Sequence, residues 1–145
     1  MNVVYRFRIY PNKIQQELFA KTFGCVRFVY NRMLSEKKEC YEKTGKNLKV
    51  TPAKYKEEFP WLKEVDSLAL CNAQLHLQIA YKNFFRDPSF GFPRFKSKKR
   101  SMPKFYQDNV KIRFSNTHVK FEGFSSSRKA NKQKMNWVRL AEHGR

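Results

Sequence analysis

The first strand signal in this chain stands far from the next one, and that gap constrains the fold more than any other feature. Val3, Tyr5, Phe7 and Ile9 alternate with Val4, Arg6, Arg8 and Tyr10. That is the period-two pattern of a strand with one apolar face. The alternation returns only at Val110, Ile112 and Phe114, set between Lys111 and Arg113. Ser115-Asn116-Thr117 then turns the chain, and Val119 and Phe121 alternate with His118 and Lys120, which predicts a hairpin. Trp137 to Leu140 reads as one more strand. A lone first strand has to pair somewhere, so it is expected to join the late hairpin. Everything between is then an insertion into one small sheet or barrel.

That insertion has helical spacing throughout. Pro11 ends the first strand, and Asn12 followed by Gln15 has the form of a capping box. Ile14, Leu18 and Thr22 line a short helix, Gly24 punctuates it, and Val26, Val29, Tyr30 and Met33 make the buried stripe of a second. Two helices joined at a glycine have the outline of a helix-turn-helix. Glu36 to Lys43 mixes charge signs and reads as solvated, and Thr44 to Asn47 reads as a loop. Thr51-Pro52 opens another short helix. Phe59-Pro60 closes it, with Trp61 and Leu62 as anchors into the core. Asp66 or Ser67 caps what reads as the longest helix, Leu68 to Arg86. Two apolar rows run along it: Leu68, Cys71, Leu75 and Ile79, then Leu70, Ala73, Leu77, Ala80 and Phe84. Its polar strip is Asn72, His76, Asn83 and Arg86. From Asp87 glycine, prolines and clustered charge predict an irregular segment, and Ser125 to Lys134 reads as a polar, basic loop. The expected fold class is α+β: residues 1–11 the first strand, 12–88 the helical insertion, 89–145 the basic loop and remaining strands.

Charge narrows the function. The chain has 145 residues and a formal net charge of +19. Such an excess seeks a polyanion, a nucleic acid or an anionic membrane face. Fourteen Phe and seven Tyr accompany the cations. Bases stack on aromatic rings while Lys and Arg hold phosphates, so the pairing favours nucleic acid. No apolar run is long enough to span a bilayer. The N-terminus lacks a signal-peptide hydrophobic region, and Cys25, Cys40 and Cys71 are odd in number and widely spaced. A cytoplasmic protein with free thiols is expected.

Chemistry of its own is not expected. Two-metal cleavage needs carboxylates converging on cations about 4 Å apart. Glu36, Glu39, Glu42, Glu57, Glu58 and Glu64 instead lie among lysines on helix surfaces. There is no Cys-x-x-Cys, and His76, His118 and His143 lack a ligand-spaced partner, so neither zinc nor another cofactor is expected. No glycine-rich phosphate loop occurs. Cys71 and His76 are five apart and share a helix face poorly.

The binding candidates are basic and aromatic. Arg94, Lys96, Lys98, Lys99, Arg100 and Lys104 are the densest group, with Tyr106 and Gln107 at its end. Phe92, Phe95, Phe105 and Tyr106 would stack bases or anchor the loop. Arg6 and Arg8 share a strand face, with Lys13 just beyond. Arg27 suits a phosphate. Asn31 would either pair with adenine in a major groove or tie down a neighbouring carbonyl, and the structural role is favoured. Ser67 and Cys71 sit at a helix N-terminus, which favours phosphate, and Lys82 and Arg86 sit at its other end.

Five segments, in order, resemble TnpB-type proteins, the transposon-encoded RNA-guided DNA nucleases. They are Arg8 to Asn12, Arg27 to Leu34, Ala80 to Phe85, Gly91 to Lys98 and Asn136 to Leu140. The resemblance implies a wedge-like β-barrel interrupted by a helical recognition domain. It implies a guide RNA from the transposon end and duplex DNA bearing a target-adjacent motif as partners. The region around Ser67 and Cys71 resembles the one that meets that motif. The family's RuvC-like and zinc-ribbon domains lie beyond the resemblance, so the nuclease activity does not carry over. Ser125 to Lys134 departs from the family, where a shorter connection is expected. A stand-alone helix-turn-helix regulator of a transposon is the alternative reading, and a ribosome-type RNA-associated protein a third.

Overall fold

The computed structural model describes residues 2–106, 112–121 and 137–140. Asn12 opens the first helix as the sequence predicts: its side chain accepts from the Gln15 amide at 2.9 Å. The Gln15 side chain accepts in return from the Asn12 amide at 2.9 Å. The helix so capped, α1 (Lys13–Thr44), runs for 32 residues without interruption. Gly45 closes it at φ 67°, donating to the Tyr41 carbonyl at 2.8 Å. A left-handed residue there favours glycine.

The joint expected at Gly24 is therefore absent. A mid-helix glycine costs about 1 kcal/mol relative to alanine, but the buried stripe runs through it. Leu18 and Thr22 on one side and Val26, Val29 and Met33 on the other all face the interior. Bending at Gly24 would turn half of that stripe to water, which costs far more. A Cβ at Gly24 would meet only the Arg27 side chain, at 3.9 Å. Gly24→Ala is expected to stabilise the chain by about 0.5–1 kcal/mol in urea unfolding. A clear loss of stability would restore the two-helix reading.

The stripe begins at Gln15, not Ile14, which is exposed. Gln15 is buried because it works at both ends. Its carbonyl oxygen completes the capping box, and its amide donates to the Trp137 carbonyl at 3.0 Å. The start of α1 is thereby pinned to the last strand.

Proline at the first position starts α2 (Pro52–Glu58), and a 3-10 turn (Pro60–Glu64) follows. Leu62 is buried as an anchor, whereas Trp61 is partly exposed and leans edge-on against Phe28 at 4.8 Å. Helix α3 (Ser67–Arg86) packs along α1 and, at 20 residues, is the shorter of the two. Of its two apolar rows the second is the one turned inward: Leu70, Ala73 and Leu77 are buried, with Ala69 beside them, and Ala80 and Phe84 are half-buried. Cys71, Leu75 and Ile79 face outward. Asn72, expected on the polar strip, is buried and donates to the Leu68 carbonyl at 2.9 Å. The chain after α3 returns over the α1–α3 seam and covers that flank, where Lys96, Lys104 and Tyr106 line a narrow cleft with Asn72 and His76.

The strands are β1 (Ile9–Tyr10), β2 (Ile112–Phe114), β3 (His118–Phe121) and β4 (Trp137–Leu140). They form one antiparallel sheet in the order β1-β4-β3-β2. The hairpin β2–β3 is as expected. The first strand does join it, but through β4, with Ile9 opposite Leu140. Of the predicted Val3 to Tyr10 strand, Ile9 and Tyr10 are the residues that pair among those described, with Leu140 and Arg139 of β4. Alternation holds on β4, with Val138 and Leu140 inside and Trp137 and Arg139 outside. Phe7 and Phe114, from the two outer edges, meet at 5.4 Å. The sheet thus curls around an apolar cavity of about 610 Å³ lined by Phe7, Ile9, Phe114 and Val119.

Two cores result. The larger lies between α1, α2 and α3, and the smaller holds Leu18, Val119, Val138 and Leu140. Phe105 packs against both, with Phe23 at 5.4 Å and Phe19 at 6.1 Å. This ring is an anchor between the cores. The Ser125 to Lys134 loop, Val110, Lys111 and Gln107 lie outside the described residues. The architecture is α+β, three helices and a small four-stranded sheet.

Candidate nucleic-acid interface

The segment after α3 is held by side chains far away in sequence. Asn31 on α1 donates from its amide nitrogen to the Lys96 carbonyl, and its oxygen accepts from the Lys96 amide, both at 2.8 Å. This copies one rung of a β-ladder, with a side chain as the partner. Asn31 is thus spent on the backbone, in keeping with the structural role. The Lys96 ammonium stands 4.4 Å over the Tyr30 ring, a close cation–aromatic contact. Burial lowers the Lys96 pKa, and the nearby charge of Lys104 lowers it further. An anion near the two lysines would offset the repulsion between them.

The next residues make a tight, serine-braced turn. Ser101 donates its amide to the Ser97 carbonyl at 3.0 Å. The Ser97 amide donates to the Ser101 hydroxyl at 3.1 Å, and the Arg100 amide to the Ser97 hydroxyl at 3.0 Å. Lys98, Lys99 and Arg100 ride on this turn, all exposed. Clamp and turn bring Arg94, Lys96, Lys98, Lys99, Arg100 and Lys104 into one short stretch. Tyr106 sits at its end, edge-on to His76 at 4.5 Å and 5.8 Å from the Lys104 ammonium. The ion pairs among the described residues use Lys21, Arg32, Lys43 and Lys54, and none uses a cation of this stretch.

The other candidates are scattered. Arg6, Arg8 and Lys13 are exposed near β1 and the start of α1, and Arg27 is half-buried on α1. Ser67 and Arg86 lie at opposite ends of α3, about 28 Å apart at 1.5 Å per residue. The Ser67 hydroxyl accepts from the Lys56 ammonium at 2.8 Å. Cys71 and Lys82 are exposed on α3. Arg86 stands 5.7 Å over the Phe90 ring. Lys37, 5.6 Å from the Tyr81 ring, escaped the sequence reading, since nothing local marks it.

Among the described residues catalytic groups do not gather, and no set of three or more His, Cys, Asp or Glu could hold a metal. Glu36, expected to be solvated, is half-buried and accepts from the Tyr55 hydroxyl at 2.5 Å. It also pairs with Arg32 at 3.4 Å and Lys54 at 3.7 Å. Cys25 is buried, and burial, aided by the Glu64 charge, pushes its thiol up to about 11, which keeps it protonated. No helix among the described residues is long and apolar enough to cross a membrane.

Comparison with known proteins agrees with the quoted motifs. Residues 1–46 match the helix-turn-helix domain of the OrfB/IS605 group. In this chain the matched helical part is the single helix α1. A Streptomyces pristinaespiralis protein carrying the provisional name RNA-guided DNA endonuclease is 36% identical over 104 residues. That match covers 67% of the chain and 26% of the relative. Escherichia coli InsQ, with the same provisional name, is 30% identical over 122 residues, covering 79% of the chain and 30% of InsQ. The virulence protein VsdF of Salmonella dublin is 37% identical over 105 residues, which cover 62% of the chain and 88% of VsdF. The chain thus spans a third or less of the endonuclease-named relatives and matches nearly all of a short one. On these matches and its own ordered motifs, the chain belongs to the TnpB/OrfB family and corresponds to the N-terminal portion of its members.

Proposed function

We propose that this chain is the nucleic-acid-holding front of a TnpB-like, RNA-guided DNA endonuclease, binding guide RNA and the duplex beside the target. The observation that carries the reading is the clamped cationic turn, Asn31 on Lys96 and the serine brace beneath Lys98, Lys99 and Arg100. Cations carried on a braced turn, with no ion-pair partner among the described residues, need little backbone ordering to meet phosphates. The RNA-guided names of two relatives support an RNA and a DNA partner. The curled sheet, with Phe7 against Phe114, supports the family's wedge-like barrel. Cutting is assigned to parts of the family that this chain does not match. A cytoplasmic setting, without a cofactor or a membrane partner, follows from the same reading.

The second reading, a stand-alone regulator, draws on the matched domain's description and on the short relative. The unbroken α1 weighs against it, because a helix-turn-helix needs two helices at an angle.

The test is a titration against transposon-end RNA, random RNA of equal length and random duplex DNA, each at two salt concentrations. The proposal expects tight binding that favours the transposon RNA and persists at the higher salt. Equal, weak binding to all three that vanishes with salt would overturn it. Tight binding to the duplex, with neither RNA bound, would favour the regulator instead.

A further inference from the structure

The end of α3 and the chain just after it carry an exposed aromatic surface that the cationic turn does not use. Phe85, Phe90 and Phe95 are 74%, 63% and 54% exposed. They are not loose. Phe85 stacks on Tyr81 at 6.3 Å with ring planes 18° apart, and it touches Phe84 at 5.5 Å. Phe92 is seated edge-on against Tyr81 and Phe84, at 5.4 and 5.3 Å. Gly91, at φ 81°, sets Phe90 and Phe92 on either side of a bend that only glycine adopts without strain. The Asp87 side chain accepts from the Ser89 amide at 3.0 Å and fixes the turn that carries Phe90.

Cations lie against these rings. The Lys38 ammonium is 5.6 Å from both Phe92 and Phe95, and the Arg86 guanidinium is 5.7 Å from Phe90. Neither cation takes part in an ion pair among the described residues. An apolar protein partner has no use for unpaired cations between the rings, whereas a polynucleotide offers a base to each ring and a phosphate to each cation. A paired duplex hides its base faces. We infer that this surface is a stacking platform for unpaired bases, and that it gives the chain its preference for single strands over duplex. The inference rests on the nucleic-acid reading above and names the form of nucleic acid that this second surface selects.

The experiment compares the chain with three double variants: Phe85→Ala/Phe90→Ala, Phe85→Leu/Phe90→Leu and Phe85→Tyr/Phe90→Tyr. Each is titrated with a single-stranded RNA of about twelve nucleotides and a duplex DNA of equal length. Both rings are exposed, and a matching unfolding midpoint confirms that each variant folds. The alanine and leucine variants are expected to lose on the order of 10- to 100-fold in single-strand affinity and under about 2-fold for duplex. The tyrosine variant, which keeps a stacking face, should retain single-strand binding. The inference fails if both ligands weaken together, if neither moves, or if leucine serves as well as tyrosine, the mark of a protein-docking patch. If the unaltered chain binds neither ligand, the nucleic-acid reading itself fails.

Discussion

Replacing Lys98, Lys99 and Arg100 together by glutamine is expected to lower affinity for duplex DNA on the order of 100- to 1000-fold near 0.05 M salt. The slope of log affinity against log salt should flatten by about 2 to 3, since each phosphate contact contributes about 0.9. The three side chains are exposed and take no part in the ion pairs described. The hydrogen bonds of the turn use Ser97, Ser101 and the Arg100 backbone, all kept in the variant. The unfolding midpoint should therefore stay where it was. The control removes as much charge from elsewhere, by Lys46→Gln, Lys49→Gln and Lys63→Gln, also exposed. With a net charge of +19, a diffuse field would make the two variants equal. A built site weakens only the first. Equal losses in both would remove the clamped turn from the interface.

What the sequence made legible was mostly local. The capping box of Asn12 and Gln15 closes within three residues, and the Ser115 to Thr117 turn is defined by its own chemistry. Both could be read without knowing what they pack against. Gly24 was equally local and misled, because the stripe on either side of it is satisfied only by one straight helix. On α3 the period of 3.6 showed two apolar rows but could not say which row α1 would cover. The answer, Leu70, Ala73 and Leu77, left Leu75 and Ile79 outside.

The site divides along the same line. Its density of charge was plain in Arg94 to Lys104. What makes those residues a surface is the Asn31 clamp, whose partners stand 65 positions apart. No window of sequence contains both. The platform at Phe85 and Phe90 was hidden for a related reason. A phenylalanine beside a helix end reads as core until the tertiary structure leaves it uncovered.

The largest loss of stability is expected from Tyr55→Ala. Tyr55 heads the fully buried side chains, and it seats α2 on α1 through Glu36. Truncation removes the ring from a packed core and leaves a cavity, at a cost of about 3–5 kcal/mol. Against a typical total of about 5–15 kcal/mol, that is a large share. Tyr55→Phe keeps the ring and should cost only about 1–2 kcal/mol, because Glu36 still has Arg32 and Lys54. Parent and Tyr55→Phe also separate in alkali. Burial, then the Glu36 hydrogen bond and charge, raise the Tyr55 pKa above its ordinary 10.0. A pKa raised on folding adds stability that is whole below the unfolded value and fades as pH climbs past it. Between about pH 9 and 11 the Phe variant should lose stability less steeply than the parent, an effect that urea midpoints at a series of pH values would read directly. If Tyr55→Ala cost under about 1 kcal/mol, the ring would not be in the core at all. If the alkaline slopes of parent and Tyr55→Phe coincided, folding would not raise the Tyr55 pKa, and neither the burial of the hydroxyl nor its bond to Glu36 would stand.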